Sequence, residues 1–225
     1  MKKFLLLLAV ALGAVSCGTA GYTRGELYPQ MYEEKPAVVL VMPPINNTAN
    51  VEAKDLLYTS ISRPLAEAGY YVISPLLAMD ILKAESAYDA ELFFDTPLKT
   101  FGTVFGADAV VFSVIDKWVK QGVGISTTIR YVIKSTRTDA ILFDRTCDLF
   151  LDLDAGISSS GNGLVGALVN VAATLARTAL TDHIEAARRA NYFIFRDLPA
   201  GKYSPDHLRD MDVNADSPNI STTVN

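Results

Sequence analysis

Residues 37–42 read AVVLVM and are followed directly by Pro43 and Pro44. A continuous apolar run that ends at prolines is typical of a strand buried on both faces of a sheet. Apolar residues then recur at helical spacing from Ala53 to Ala68, and Gly69 is placed to end that helix. Because Pro64 lies inside the helical pattern, we expect either a kink or two abutting helices there.

The same alternation of strands and helices continues along the first half of the chain. Residues 70–74 predict a second strand, and residues 75–83 predict a helix. Residues 97–105 predict a further helix stopped by Gly106, and residues 109–118 a third strand. This order predicts an α/β fold in which helices pack on a sheet.

The second half alternates between apolar and polar residues instead. Residues 125–134 and 140–154 both alternate, and residues 136–139 between them predict a compact turn. Arg145 is the one residue out of place on the apolar face of the second segment. The pattern predicts an antiparallel hairpin with one buried face and one wet face, and therefore a mixed β-sheet flanked by helices.

A long helix is predicted after the loop at residues 158–163. It runs from about residue 163 to 180 and is apolar nearly all round. Such a helix packs under the sheet, forms a subunit contact or inserts into a membrane, and the pattern leaves these alternatives open. A charged amphipathic continuation covers residues 182–191, and residues 192–196 resemble a strand.

The N-terminus carries the features of a secretory signal. Lys2 and Lys3 precede an apolar run at residues 4–12, which is too short to span a bilayer permanently. Small residues follow and lead to Cys17, so that residues 14–17 (AVSC) resemble the bacterial lipobox, with alanine where leucine is usual. The sequence therefore predicts cleavage before Cys17 and lipidation of that residue, including palmitate-type acyl chains, with an ordinary secreted protein as the alternative.

Composition divides the chain into four parts. Residues 1–16 are predicted to be the lipoprotein signal peptide, and residues 17–35 the lipidated cysteine with a polar tether. Residues 36–203 are dense enough in apolar residues for a single α/β domain, and residues 204–225 are rich in Asp, Asn and Ser and predict a flexible tail. Without Lys2 and Lys3 the 20 basic residues fall to 18 against 25 acidic ones, which disfavours nucleic acid and anionic lipid as partners.

No set of residues predicts catalysis or a metal site. Cys147 lies in an apolar strand pattern and is expected to be a buried, inert thiol. The only histidines, His183 and His207, are expected at the surface without metal partners. Three further groups are interpreted as ordinary surface: the strand-face acids Asp148, Asp152 and Asp154, the loop Ser158 to Gly163, and the loop acids Glu85, Asp89 and Glu91. We accordingly expect no cofactor and no enzymatic activity.

Several segments together resemble a known family. They are the lipobox, PAVVLVMPP at residues 36–44, PLAxxGYYVISP at residues 64–75 and FGxxFGADAVVF at residues 101–112. The combination resembles a family of uncharacterised lipoproteins represented by the meningococcal GNA-type antigen. The resemblance implies a fold like the TolB N-terminal domain, LpoB and CsgG, whose members act by binding envelope proteins or by oligomerising. It implies no catalytic or ligand residues, and no long paired amphipathic strands like the membrane hairpin of CsgG are found.

Two functions follow from these expectations. One is an accessory or docking lipoprotein on the outer membrane, facing the periplasm, that binds unidentified envelope proteins. Gly18 after Cys17 favours the outer membrane, since an aspartate there would favour retention in the inner membrane. The alternative is an oligomeric ring or channel component of a CsgG-like secretion complex.

Overall fold

The computed structural model describes residues 21–122, 124–153 and 179–225. The elements of the first half are β1 (Tyr22–Thr23), α1 (Arg24–Leu27), α2 (Pro29–Glu34), β2 (Val38–Val41), β3 (Ile45–Asn46), α3 (Val51–Ser60), α4 (Ser62–Glu67), β4 (Tyr71–Val72), α5 (Pro75–Ala84) and α6 (Lys99–Phe105). Those of the second half are β5 (Ala109–Gln121), β6 (Gly124–Ser135), β7 (Ile141–Asp152), α7 (Ala179–Phe195), β8 (Asn214–Ala215) and β9 (Asn219–Val224).

Seven strands of the described residues form one mixed sheet. The strand order is β4-β2-β5-β6-β7-β9, and β3 pairs with β5 beside this path. Strands β2 and β4 run parallel, as do β2 and β5, whereas β5, β6 and β7 form an antiparallel meander. The predicted α/β fold with a mixed sheet and flanking helices is confirmed.

Alternate residues of β2 feed two separate apolar clusters, one on each face of the sheet. Val39 and Val41 belong to a cluster shared with α3, α4 and α7. Leu40 and Met42 belong to a second cluster shared with α5 and α6. The prediction of a strand buried on both faces is therefore confirmed.

The boundaries predicted around Pro64, Gly106 and the hairpin are also confirmed. Helices α3 and α4 abut at Ile61, and Gly106 ends α6 in the left-handed conformation with φ 67°. Strands β6 and β7 pair antiparallel, with Cys147 and Leu149 fully buried and Asp148 exposed on the other face. A register shift beside Lys134 leaves Ile141 half exposed, although the alternation placed it on the buried face.

The polar tether predicted for residues 17–35 is replaced by ordered structure from residue 22 onward. Thr23 caps α1 through a reciprocal capping box with Glu26. Tyr28, Met31 and Tyr32 are buried, and the first two of these belong to the larger apolar cluster. The composition was misleading because three aromatic and sulfur-containing side chains suffice to fasten a short segment that is otherwise polar.

The flexible tail predicted for residues 204–225 also differs from the structure. Strand β9 adds to the sheet parallel to β7, with Ile220 opposite Cys147, and β8 pairs antiparallel with β1. Asp210 is 3% exposed and accepts bonds from the Arg24 guanidinium (2.7 Å) and the Tyr32 hydroxyl (3.1 Å). An edge strand is held mainly by backbone pairing and can therefore be polar, so the composition of residues 219–224 gave no sign of β9.

Two predictions about α7 are wrong. Residues 192–195 continue the helix and do not form a strand. His183 is buried, and its Nδ1 accepts a hydrogen bond of 2.7 Å from the Trp118 indole Nε1, with the two rings stacked. Contact with the end of β5 covers this histidine, which no local pattern on the helix could show.

The C-terminal segment is attached to the sheet through a buried ion cluster around Arg145. This side chain is fully buried and lies 2.8 Å from the Asp197 carboxylate and 3.4 Å from that of Asp216. Its guanidinium also donates to the Ile194 carbonyl oxygen at 3.1 Å. The residue that was out of place on the apolar face of β7 is therefore the link that joins the end of α7 to the segment entering β9.

Candidate docking surface

An open apolar groove lies between α5 and α6. It has a volume of about 540 Å³, and its walls are Ile81, Leu82, Glu85, Ala87, Phe93, Thr96, Pro97, Thr100, Phe101, Val104 and Phe105. Ile81 is 44% exposed and Val104 is 58% exposed. Leu77, one turn before Ile81 on the same helix face, is 63% exposed. Exposed apolar residues that are contiguous in this way mark interaction surfaces more often than chance exposure does.

The groove has this shape because the sequence covers α5 with apolar residues nearly all round. Ala78 and Leu82 face the sheet and are buried, whereas Leu77 and Ile81 on the next stripe remain exposed. Pro75 begins the helix at its first position, where the missing N–H costs nothing. A helix with more apolar surface than its sheet can cover leaves an apolar wall exposed.

The opposite wall is positioned by contacts with the hairpin turn. The Leu98 amide, just before α6, donates to the Asp139 carboxylate at 2.7 Å. Thr136 donates to the Ala107 carbonyl oxygen at 2.7 Å, and Gly102 lies against the Thr136 side chain. The rings of Phe101 and Phe93 pack edge to face with their centroids 5.2 Å apart, which joins this wall to the segment between α5 and α6. These contacts make the groove a built feature of the fold.

The segment that joins α5 to α6 is acidic, and Glu85 is the acid of this segment that lines the groove. Residues 85–95 contain four carboxylates, Glu85, Asp89, Glu91 and Asp95, and no basic residue. A hydrogen bond with Asp89, aided by burial, raises the pKa of the Glu91 carboxyl. The carboxylates of this segment contribute negative potential beside the groove, which favours a cationic ligand.

The loop acids do not all lie in the groove. Glu85 lines the groove, whereas Asp89 and Glu91 hydrogen-bond to each other on the exposed connection. The lining contains Thr96 and Thr100 besides Glu85, and its other residues are apolar. The geometry suits binding of an apolar segment with basic flanks.

The remaining predicted site residues lie elsewhere. Cys17, the loop at residues 158–163, Asp154 and all but the last two residues of the helix predicted for residues 163–180 lie outside the described residues. Asp148 accepts a hydrogen bond from Thr128, and His207 contacts the Ala200 carbonyl oxygen. Within residues 21–122, 124–153 and 179–225, no cluster of three or more His, Cys, Asp or Glu side chains is arranged to hold a metal ion.

Cys147 is a buried thiol, as predicted. It lies on β7 with its side chain fully buried, and it has no disulfide partner in the described part of the chain. Burial raises the pKa of the Cys147 thiol to about 11, although the nearby Arg145 opposes that rise. A thiol with so little thiolate at neutral pH is unreactive.

No helix in residues 21–122, 124–153 or 179–225 combines the length and the apolar character needed to cross a bilayer.

Comparison with known proteins gives the family of this chain. Residues 27–198 match the family described as "Putative lipoprotein GNA1162-like", and the chain belongs to that family. A curated relative, "Putative lipoprotein NMB1124/NMB1162" of Neisseria meningitidis serogroup B, is 28% identical over 187 residues, which are 81% of this chain and 84% of that protein. The resemblance predicted from the sequence is confirmed, and the class of protein is lipoprotein.

Solved structures with a similar fold include three proteins from other bacteria. The lipoprotein GNA1162 from Neisseria meningitidis has 23% identity and a TM-score of 0.47, covering 62% of this chain and 97% of its own. The LpoB C-terminal domain from Escherichia coli has 14% identity and a TM-score of 0.34, covering 55% and 94%. A PelC dodecamer from Paraburkholderia phytofirmans has 13% identity and a TM-score of 0.33, covering 68% and 88%. At TM-scores below 0.5, no role or assembly of those proteins is transferred to this chain.

The groove was missed at the sequence level although one signal for it was present. The run PLLAMDIL at residues 75–82 contains a single charged residue and predicts a helix with more apolar surface than one contact face requires. The other wall could not be anticipated, since α6 is brought beside α5 only by the sheet and by the Asp139 turn.

Proposed function

We propose that this lipoprotein is a non-catalytic docking factor of the outer membrane. Cys17 carries the lipid, the domain faces the periplasm, and the groove between α5 and α6 binds an envelope protein. The observation that supports docking is the apolar groove beside an acidic segment. The ligand that fits it is an amphipathic segment with an apolar face and flanking Lys or Arg residues.

The lipid anchor on Cys17 accounts for attachment of the domain to the membrane. Each buried methylene of an acyl chain contributes about 0.8 kcal/mol, so several chains on one cysteine hold a protein at a bilayer essentially permanently. Gly18 in place of aspartate supports transfer to the outer membrane. The docking domain would then act on partners within reach of that membrane.

Site-specific photo-cross-linking in the producing bacterium tests the docking surface. A photo-reactive residue at Val104 in the groove is compared with one at Val119 near the end of β5, which is the same residue type with a similar exposure of 53%. Val119 lies ten residues along β5 from Ala109, about 33 Å at strand spacing, whereas Val104 lies on α6, which ends four residues before that strand begins. We expect a discrete cross-link to one envelope protein from Val104 and none from Val119.

A charge substitution then separates binding from folding. Val104→Asp should weaken the complex about tenfold, because burying a valine-sized side chain contributes about 1.5 kcal/mol. Val119→Asp is the matched control and should leave binding unchanged. Equal cross-linking at the two sites, or equal binding by the two variants, would contradict docking in the groove.

The alternative, a ring or channel component, has one structural feature in its favour. Strand β9 closes the sheet, and its outer edge is unpaired among the described residues. An unpaired edge can add a strand from a second copy. Light scattering during size-exclusion chromatography of the Cys17→Ser chain distinguishes the two functions, since a discrete oligomer supports the ring and a strict monomer removes its main support.

A further inference from the structure

The described part of the chain begins a few residues after the predicted anchor. Strand β1 starts at Tyr22 and pairs with β8, and the capping box of Thr23 and Glu26 follows immediately. Only residues 18–20 separate Cys17 from the first described residue, Gly21. The distance between anchor and domain is therefore set by a few peptide units and not by the long tether that composition predicted.

That distance has a physical upper limit. Four residue steps from Cys17 to Gly21 span at most about 14 Å when fully extended. A lipidated cysteine sits at the inner boundary of a headgroup layer that is about 5–7 Å thick. The start of the domain therefore lies no more than about 9 Å above the headgroups. A domain of some 200 residues has a radius of gyration of about 17 Å, so this short connection cannot let it turn its far side to the bilayer.

Exposed apolar side chains surround this starting point. Tyr22 is 52% exposed, Leu208 40%, Met211 45% and Val213 46%. The backbone brings Met211 and Val213 beside the residues that follow Tyr22, since the Arg24 amide donates to the Val213 carbonyl oxygen and the Gly25 amide to that of Met211, both at 2.9 Å. Leu208 lies three residues before Met211 in the chain. The Met211 side chain also lies against Gly25. We call Tyr22, Leu208, Met211 and Val213 the N-terminal patch.

The charges near the patch select the kind of lipid surface. Glu26, Asp206 and Asp212 are exposed acids, against the exposed cations Lys202 and Arg209, while Arg24 is paired with buried Asp210 and Arg196 with Asp216. A net negative rim is repelled by anionic headgroups. The patch therefore suits a predominantly zwitterionic surface into which apolar side chains insert at the level of the headgroups.

We propose that the N-terminal patch rests on a zwitterionic membrane surface and holds the domain in one orientation relative to the bilayer. This inference rests on the proposed lipidation of Cys17 and goes beyond it, since an anchor alone leaves orientation open. Tyr22 supplies an aromatic ring with a polar end, which is the side-chain type that favours the membrane interface.

The test uses the full lipidated chain on vesicles of phosphatidylcholine, with single cysteines labelled by an environment-sensitive dye. Met211→Cys reports on the patch, and Leu76→Cys, 73% exposed on α5 at the opposite side of the sheet, is the matched control. Labelling is selective because the thiol of Cys17 is acylated and Cys147 is buried with a raised pKa. Vesicle flotation of the lipidated chain against Cys17→Ser checks the anchor separately.

We expect blue-shifted emission at position 211 and quenching by nitroxide-labelled lipids at least about twofold stronger than at position 76, because interfacial side chains reach the boundary of the acyl chains. Adding anionic lipid should reduce the quenching at position 211. A chain that floats but shows water-like emission at both positions overturns the proposed orientation while leaving lipidation intact. A chain that does not float overturns lipidation itself, and stronger quenching at position 76 would place the opposite face on the membrane.

Discussion

Removing the Asp197 carboxylate should destabilise the fold more than any exposed charge does. Arg145 is fully buried on β7, and Asp197, itself 8% exposed, is its nearest anionic partner at 2.8 Å. In Asp197→Ala the guanidinium remains buried with only Asp216 at 3.4 Å and the Ile194 carbonyl oxygen. A buried charge that loses its partner costs about 3–5 kcal/mol. Because Asp216 still offsets part of the charge, we expect about 3 kcal/mol, the lower end of that range.

The matched control is Asp216→Ala. The Asp216 side chain is 43% exposed, so water replaces most of its interaction, and the expected loss is about 1 kcal/mol or less. The double variant Arg145→Met with Asp197→Ala should recover part of the loss, since it removes both charges from the buried site. The order of the three stabilities therefore separates the effect of an unpaired buried charge from the effect of lost packing.

Urea unfolding of the Cys17→Ser chain, followed by the fluorescence of Trp118, measures these differences. Trp118 is the only tryptophan and is buried against His183, so its emission reports on loss of tertiary structure. A shift in the midpoint at constant slope gives the change in the free energy of unfolding. The reasoning is refuted if Asp197→Ala and Asp216→Ala lie within about 1 kcal/mol of each other, which is the usual range for surface ion pairs.

Three further predictions concern the Asp216 carboxyl, the Cys147 thiol and two glycines at positive φ. A hydrogen bond from Arg196 lowers the pKa of the Asp216 carboxyl in the folded protein below its ordinary 3.8. The stabilisation from this carboxylate is therefore complete above pH 3.8 and is lost as the pH falls through the lower pKa of the folded state. In an acid titration followed by circular dichroism, Asp216→Asn should lose less stability below pH 3.8 than the parent protein does. Burial raises the pKa of Cys147 to about 11, so alkylation of the folded Cys17→Ser chain at pH 8 should be at least about 100-fold slower than in urea, and mass spectrometry that finds rapid labelling in the folded state would contradict the burial. Gly69 has φ +94°, and a Cβ there would lie 2.5 Å from the Ser204 amide nitrogen, so Gly69→Ala should lower the free energy of unfolding by about 2 kcal/mol in the same urea assay. Gly106 also has a positive φ, but a Cβ there would meet open space, so Gly106→Ala should lower the free energy of unfolding by about 1 kcal/mol.

The sequence predicts the sheet well where local pattern and burial agree. AVVLVM predicts the central strand because both of its faces are apolar, and Gly69 and Gly106 end helices where a left-handed residue is needed. Residues 214–224 were missed because their pairing partners, β1 and β7, are distant in the chain. Arg145 shows the same limit, since its position on the apolar face is visible locally but its partners Asp197 and Asp216 are supplied by the fold.

For a related reason, only one wall of the candidate docking groove could be predicted from the sequence. Residues 75–82 show excess apolar surface on one helix, but a groove needs a second wall. That wall is positioned by Asp139, which reaches the Leu98 amide from the far end of the β6–β7 hairpin. Contacts between elements that are 41 residues apart leave no periodic signal in the sequence.

The two proposed surfaces lie on opposite sides of the sheet, and this separation has a consequence for how the protein works. Tyr28 and Met31, just after the N-terminal patch, enter the apolar cluster shared with α3, α4 and α7, whereas the groove belongs to the cluster shared with α5 and α6. With the patch on the bilayer, the sheet separates the groove from the membrane. The partner segment then approaches from the periplasmic side without crossing the headgroup layer. Its affinity for the groove should therefore be the same for the lipidated chain on vesicles and for Cys17→Ser in solution, whereas a groove that faced the bilayer would bind less tightly once the chain is anchored.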